Sequence, residues 1–89
     1  MIPEVGELYI TIRRGIFGEP KFTVPYDKSI THVSFESNQL VLCVDKYEKY
    51  AECKQYRFLI NGEVSKWVTR ARKSIMGYWI PFNEVMCKY

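Results

Sequence analysis

Few side chains in this chain are suited to covalent or acid–base chemistry. His32 is the single histidine, and it opens the alternating stretch THVSFE (residues 31–36) with Ser34 close by. A general base needs a nucleophile and an orienting partner held within hydrogen-bond reach. Ser34 shares only a local strand with His32, and Cys43 lies inside the apolar run LVLCV, so neither completes a dyad. His32 reads as a surface strand residue. Asp27, Asp45, Glu48 and Glu52 fall in polar segments without a paired-carboxylate pattern. Gly15 and Gly18 precede Glu19 and Pro20 rather than the Lys-Ser/Thr helix start of a phosphate loop. Cys43, Cys53 and Cys87 are odd in number and form no CxxC or CxxxC pair. Their spacing predicts no zinc site and no disulfide scheme, only free thiols in a reducing, intracellular setting. The expectation is a protein that is not an enzyme and carries no cofactor and no metal.

Binding chemistry is better represented. Aromatic residues make up 16% of the chain, with seven tyrosines, more than a small core can hide. Tyr and Trp offer large rigid area with a polar tip, which suits contact surfaces. Tyr47 and Tyr50, in the charged stretch DKYEKYAECK (residues 45–54), are candidate anchors for a protein partner, with Tyr56 beside them. The bland reading of Tyr56 is an inward-packed hairpin residue. A second candidate surface is basic. Arg13 and Arg14 leave the first strand, and Arg70, Arg72 and Lys73 follow a hairpin. If these strand ends meet on one rim beside Tyr26, Tyr78 or Trp79, they would combine phosphate contacts with base stacking. The bland reading is a set of solvated loops offset by Glu7, Glu19 and Glu84. A net charge of +3 allows nucleic acid as a partner without arguing for it.

The elements that must position these residues are short and β-rich. Eighty-nine residues suffice for one domain, residues 1–89, with a modest core. ELYITI (residues 7–12) reads as a strand. The glycines around Ile16 and Phe17 read as a turn or irregular excursion. Residues 19–29 carry Pro20 and Pro25 and read as a loop or edge strand. THVSFE is a short strand broken at Asn38, and QLVLCVD (residues 39–45) is the strongest buried-strand signal. Residues 45–54 are expected to form a long solvated hairpin loop, with a single helical turn as the alternative. QYRFLI and EVSKWV flank Asn61-Gly62, a pair that accepts the positive φ angles of a type I′ hairpin turn. TRARKS (residues 69–74) is expected outside the core. MGYWI is a strand, PFNEV one tight helical turn, and VMCKY a short terminal strand. No stretch approaches the length of apolar sequence needed to span a membrane, and MIPEVGEL lacks the pattern of a signal peptide. Five or six short strands without a long helix satisfy their backbone groups best by closing a small barrel.

Two stretches resemble SH3 domains. THVSFESNQLVLCV resembles the segment in which a short Leu-Ser-Phe precedes a diverging turn and a Leu/Val strand. WVTRARKSIMGYWIPFNEV resembles the run from the binding-face Trp to the Gly-x-Ile-Pro-x-Asn-x-Val ending, here Trp67, Gly77, Ile80, Pro81, Asn83 and Val85. A second register is also open: GELYIT, LVLCV and YRFLINGEVSKWV resemble a bacterial and phage SH3-like pattern. Either register implies an all-β, SH3-like barrel with long loops and a single helical turn near the C-terminus. In the first, Trp67 and Pro81 would lie on the family's binding face; the alternative is that Trp67 and Trp79 serve packing. The tyrosine motif and acidic loop of proline-peptide readers have no counterpart here, and Glu84 replaces their final Tyr. Small stand-alone domains of this size and composition resemble bacteriophage accessory proteins. That resemblance implies a host protein or defence complex as the partner, in the cytoplasm of the infected cell. Nucleic acid is the alternative partner, no membrane is expected, and a homo-oligomer stays open.

Overall fold

The computed structural model describes residues 1–17, 33–48, 54–65, 67–72 and 78–89. Nine strands are present among them: β1 (Leu8–Thr11), β2 (Gly15–Phe17), β3 (Val33–Phe35), β4 (Leu40–Glu48), β5 (Lys54–Ile60), β6 (Glu63–Val64), β7 (Ala71–Arg72), β8 (Trp79–Ile80) and β9 (Met86–Lys88). A single 3-10 turn, Phe82–Glu84, separates β8 from β9. The protein is all-β. The strands form a five-stranded antiparallel sheet in the order β6-β5-β4-β1-β9 and a four-stranded one in the order β3-β2-β7-β8. Among the described residues these ladders stay separate and no closed barrel forms.

Both sheets pack their inner faces on one core. It contains Tyr9, Val41, Cys43, Tyr56, Phe58, Ile60 and Met86 from the first sheet, and Phe17, Val33, Phe35 and Ala71 from the second. Phe17 joins the layers: its ring lies 4.6 Å from Phe35 and 4.6 Å from Phe58. Phe82 closes the end, its ring edge-on to Phe58 at 5.2 Å and to Tyr56 at 5.8 Å. Such tilted and edge-on pairs add to the apolar area that aromatic rings already bury.

Several sequence expectations hold. β1 and β9 occupy the expected strands, the 3-10 turn follows Pro81, and Cys43 is core. Asn61 and Gly62 adopt φ of 51° and 76° and turn β5 into β6, with Leu59 opposite Val64. Asn38, with φ of 66°, lies in the turn from which β3 joins the four-stranded sheet and β4 the five-stranded one.

Others are corrected. The stretch around Ile16 and Phe17 is a strand, because both side chains are buried and β2 is paired on both edges, with β3 and β7. Residues 45–48 are not loop: β4 runs on to Glu48, paired with β5 to Lys54. Cross-strand bonding sustains this polar stretch, helped by Lys46 and Lys54 at 3.3 and 3.4 Å from the Glu48 carboxylate. TRARKS is not wholly outside the core, since Ala71 is fully buried within the β7 and β8 pairing. Strands among the described residues number nine rather than five or six, with β2 and β7 formed where a turn and a solvated stretch were expected, and the hairpin arm after Val64 breaks at Ser65. The Ser65 Oγ accepts the Phe58 N–H at 2.9 Å while the Ser65 N–H donates to the Phe58 carbonyl. The expected segment 19–29, with His32, Tyr50, Cys53, Lys73 and Gly77, lies outside the described residues.

Candidate functional site

Two register shifts decide which side chains leave the core. In the pairing of β4 with β5, Cys43 faces Phe58, but the next pair is Asp45 with Arg57, so Val44 is an extra residue. Simple alternation from the inward Cys43 would send Tyr47 inward too. The bulge reverses the phase: Lys46 stands opposite the core residue Tyr56, and Tyr47 faces outward opposite Gln55. A second shift follows Ser65. Leu59 pairs with Val64 and Phe58 bonds Ser65, yet Tyr56 pairs with Val68. Without that extra residue Trp67 would oppose Tyr56 and enter the core. With it Val68 takes the core position and Trp67 turns outward. Bulges re-aim side chains in this way and concentrate near functional sites.

The two shifts bring Tyr47 and Trp67 together on the outer face of the five-stranded sheet, ring centroids 5.8 Å apart. The Arg57 guanidinium carbon lies 4.6 Å from the centre of the Trp67 ring, a cation–π placement that holds the long side chain against the sheet. Trp67 is only 8% exposed without belonging to the shared core. Asp45 stands opposite Arg57 in register, so this end of the face carries one charge of each sign. With Asp45 these three residues offer aromatic area, a fixed guanidinium and a carboxylate, the kinds of group that protein contact surfaces use. Nothing in it resembles an acid–base dyad.

The outer face continues as aliphatic surface. Val64, Leu59, Leu42 and Leu8 stand opposite one another from β6 to β1. Tyr89 extends the row, its N–H donating to the Leu8 carbonyl. Leu40, Ile10 and Cys87 form a second row across β4, β1 and β9. Leu8, Leu40, Val64 and Tyr89 are exposed, as is Ile12 just beyond β1.

The remaining expected site residues are dispersed. Pro81 is exposed at the start of the 3-10 turn, where its carbonyl accepts the Glu84 N–H. Tyr56 is buried in the core, and burial pushes its hydroxyl pKa up. Of the basic residues, Lys73 lies outside the described residues and Arg72 stands near Arg14, while Arg70 is set apart. Ile16 pairs antiparallel with Arg72, so Arg14, two residues before Ile16, and Arg70, two before Arg72, lie at opposite ends of that pairing. The Arg14 Nε donates to both Glu36 carboxylate oxygens, at 3.1 and 3.0 Å, and this hydrogen bond holds its pKa above the ordinary value. Arg72 stacks over Trp79 at 4.8 Å. Arg13, Arg70 and Tyr78 are exposed.

Arg57 and the aliphatic rows were not singled out from sequence. A signal for the rows existed: LVLCV and ELYITI are apolar or β-branched in both phases, which marks strands with two apolar faces. Among the described residues, no group of His, Cys, Asp and Glu side chains is placed to hold a metal ion, and no helix is long and apolar enough to cross a membrane. No family model, curated protein or solved structure matches the chain.

Proposed function

We propose that this chain is a non-enzymatic, SH3-like binding module whose partner is a protein, engaged through the outer face around Tyr47, Arg57 and Trp67. The observation that carries the proposal is the pair of register shifts. Each spends an extra residue to turn a large aromatic side chain out of a core that would otherwise take it, and both deliver it to the same place. Support for the SH3-like reading comes from connectivity. β3 and β4 diverge from a turn into different sheets, β7 and β8 pair as a hairpin after Trp67, and the 3-10 turn after Pro81 leads into β9, which pairs with β1. The likeness to phage accessory domains makes a bacterial host protein or complex the partner to test first. A nucleic-acid reading draws less support, because Arg14 is engaged by Glu36, Arg72 by Trp79, and Arg70 lies away from Arg14.

The test is affinity capture from nuclease-treated bacterial lysate at low and moderate salt, with Tyr47→Ala as the paired control. The expected result is a stoichiometric protein retained at moderate salt and lost in the variant. Recovery that disappears with nuclease, or that falls steeply with salt as counterion release requires, would reject the protein-partner reading.

A further inference from the structure

We infer that the aliphatic half of the outer face is the contact surface of a symmetric dimer, and that its occupant is a second copy of this chain. Leu40 and Leu42 alternate with the inward Val41 and Cys43, so β4 has the composition of a strand covered on both sides. Among the described residues only one side is covered. Leu40 is 51% exposed, and Leu8, Ile12 and Val64 lie between 41% and 50%.

Charge and area point to a like copy. The chain carries +3, yet of the charged residues paired within the five-stranded sheet only Asp45 and Arg57, opposite each other, stand in the outward phase. Lys46, Lys54, Glu63 and Lys88 stand opposite inward-turned or edge positions of the neighbouring strands. Two copies can therefore approach face to face without opposing like charges, and a partner chosen by charge finds nothing to read there. Aliphatic rows are self-complementary, which a two-fold interface demands. Five strands at their usual spacing span about 19 Å, and residues 8 to 12 add about 14 Å along the strand. With side-chain margins this is on the order of 500 Å² per copy, so two copies bury about 1,000 Å², the lower bound for a specific interface. That area suits a reversible dimer. Two such faces would pack as a sandwich with the sheets about 10 Å apart.

Cys87 reports on the contact, since it is exposed and stands opposite Ile10 in the second row. The experiment is sedimentation of the full chain over about a hundredfold range of concentration, alongside the rate of Cys87 alkylation at each end of that range. Expected are a mass that doubles with concentration, alkylation slowed about tenfold or more in the dimer, and reversal of both by Leu40→Lys. Arg70→Ser, on an exposed residue off this face, should leave both unchanged. A monomeric mass throughout overturns the inference, as does a dimer that survives Leu40→Lys and leaves Cys87 freely alkylated. A monomer whose captured protein is lost on Leu40→Lys also overturns it, while preserving the binding-module reading. Loss of capture on Tyr47→Ala in an intact dimer separates the two functions of the face.

Discussion

Replacing Gly15 by Ala would ordinarily strengthen a strand, because glycine in a strand interior costs roughly 0.5–1 kcal/mol relative to alanine. The structure predicts the opposite sign here. A Cβ at Gly15 would lie 2.6 Å from the Phe35 Cζ, 2.9 Å from its Cε2 and 2.8 Å from the Arg72 carbonyl oxygen. Carbon atoms pack at about 3.5–4.0 Å, so the ring must retreat by about 1 Å. It has little room, since Phe35 is 2% exposed and its ring sits 4.6 Å from that of Phe17, itself against Phe58. The Arg72 oxygen belongs to β7, the strand paired with β2 on its other edge, and cannot swing away as a side chain would. Overpacking of this kind costs about 1–3 kcal/mol. In a domain of this size each kcal/mol moves the melting midpoint by about 4–8 °C, so Gly15→Ala should lower Tm by roughly 5–20 °C. Thermal and urea unfolding, followed by Trp fluorescence, measure the effect. Phe35→Leu removes the two ring contacts but leaves the carbonyl one. The double variant should therefore cost less than the sum of the singles by about 0.5–2 kcal/mol. A Tm equal to or above that of the unmodified chain, or strict additivity in the cycle, would refute the steric argument.

Phe17→Ala removes the ring between the two sheets and should cost about 3–5 kcal/mol; urea unfolding with a loss below about 1 kcal/mol would show that the layers are held otherwise. At Gly62, with φ of 76°, a Val side chain should destabilise the hairpin by about 1–2 kcal/mol, whereas Asn61→Gly should be nearly neutral in the same assay. Burial raises the pKa of the Cys43 thiol and of the Tyr56 hydroxyl. Both groups ionise first in the unfolded chain, so their contribution is complete below the ordinary thiol and phenol ranges and is lost as pH rises through the folded values. The free energy of unfolding should accordingly decline above about pH 8.5, and peptide mapping after native alkylation should find Cys87 modified ahead of Cys43. On the acid side, the Lys46 hydrogen bond lowers the Glu48 pKa, so that exposed carboxylate's small contribution is present above the ordinary carboxylate range and lost as pH falls through the lowered value.

Much of the fold is legible in local chemistry. Asn61-Gly62 specifies a hairpin because few residue pairs accept two successive positive φ angles. Pro81 blocks extension of β8 and opens the 3-10 turn, and the β-branched run ELYITI admits little besides a strand. Where an element depends on partners distant in sequence, local signals mislead. Gly15, Ile16 and Phe17 look like a turn, yet they form a strand because β3 and β7 pair with them and the core accepts Phe17. Ala71 lies in a basic stretch and is buried because its neighbours across β8 and β2 leave it nowhere else to go.

The candidate site belongs to the second class. The sequence by itself determined that this chain is an all-β domain with more aromatic side chains than its core can hold. It also determined that the first part of β4, Leu40 to Val44, is apolar in both phases. It could not determine which aromatics face outward, because the side-chain period of a strand is two and a single extra residue inverts every position beyond it. Val44 and the residue gained after Ser65 are such insertions, visible only as mismatches in cross-strand pairing. Tertiary pairing placed Tyr47 and Trp67 beside Arg57, and it engaged Arg14 with Glu36 and Arg72 with Trp79.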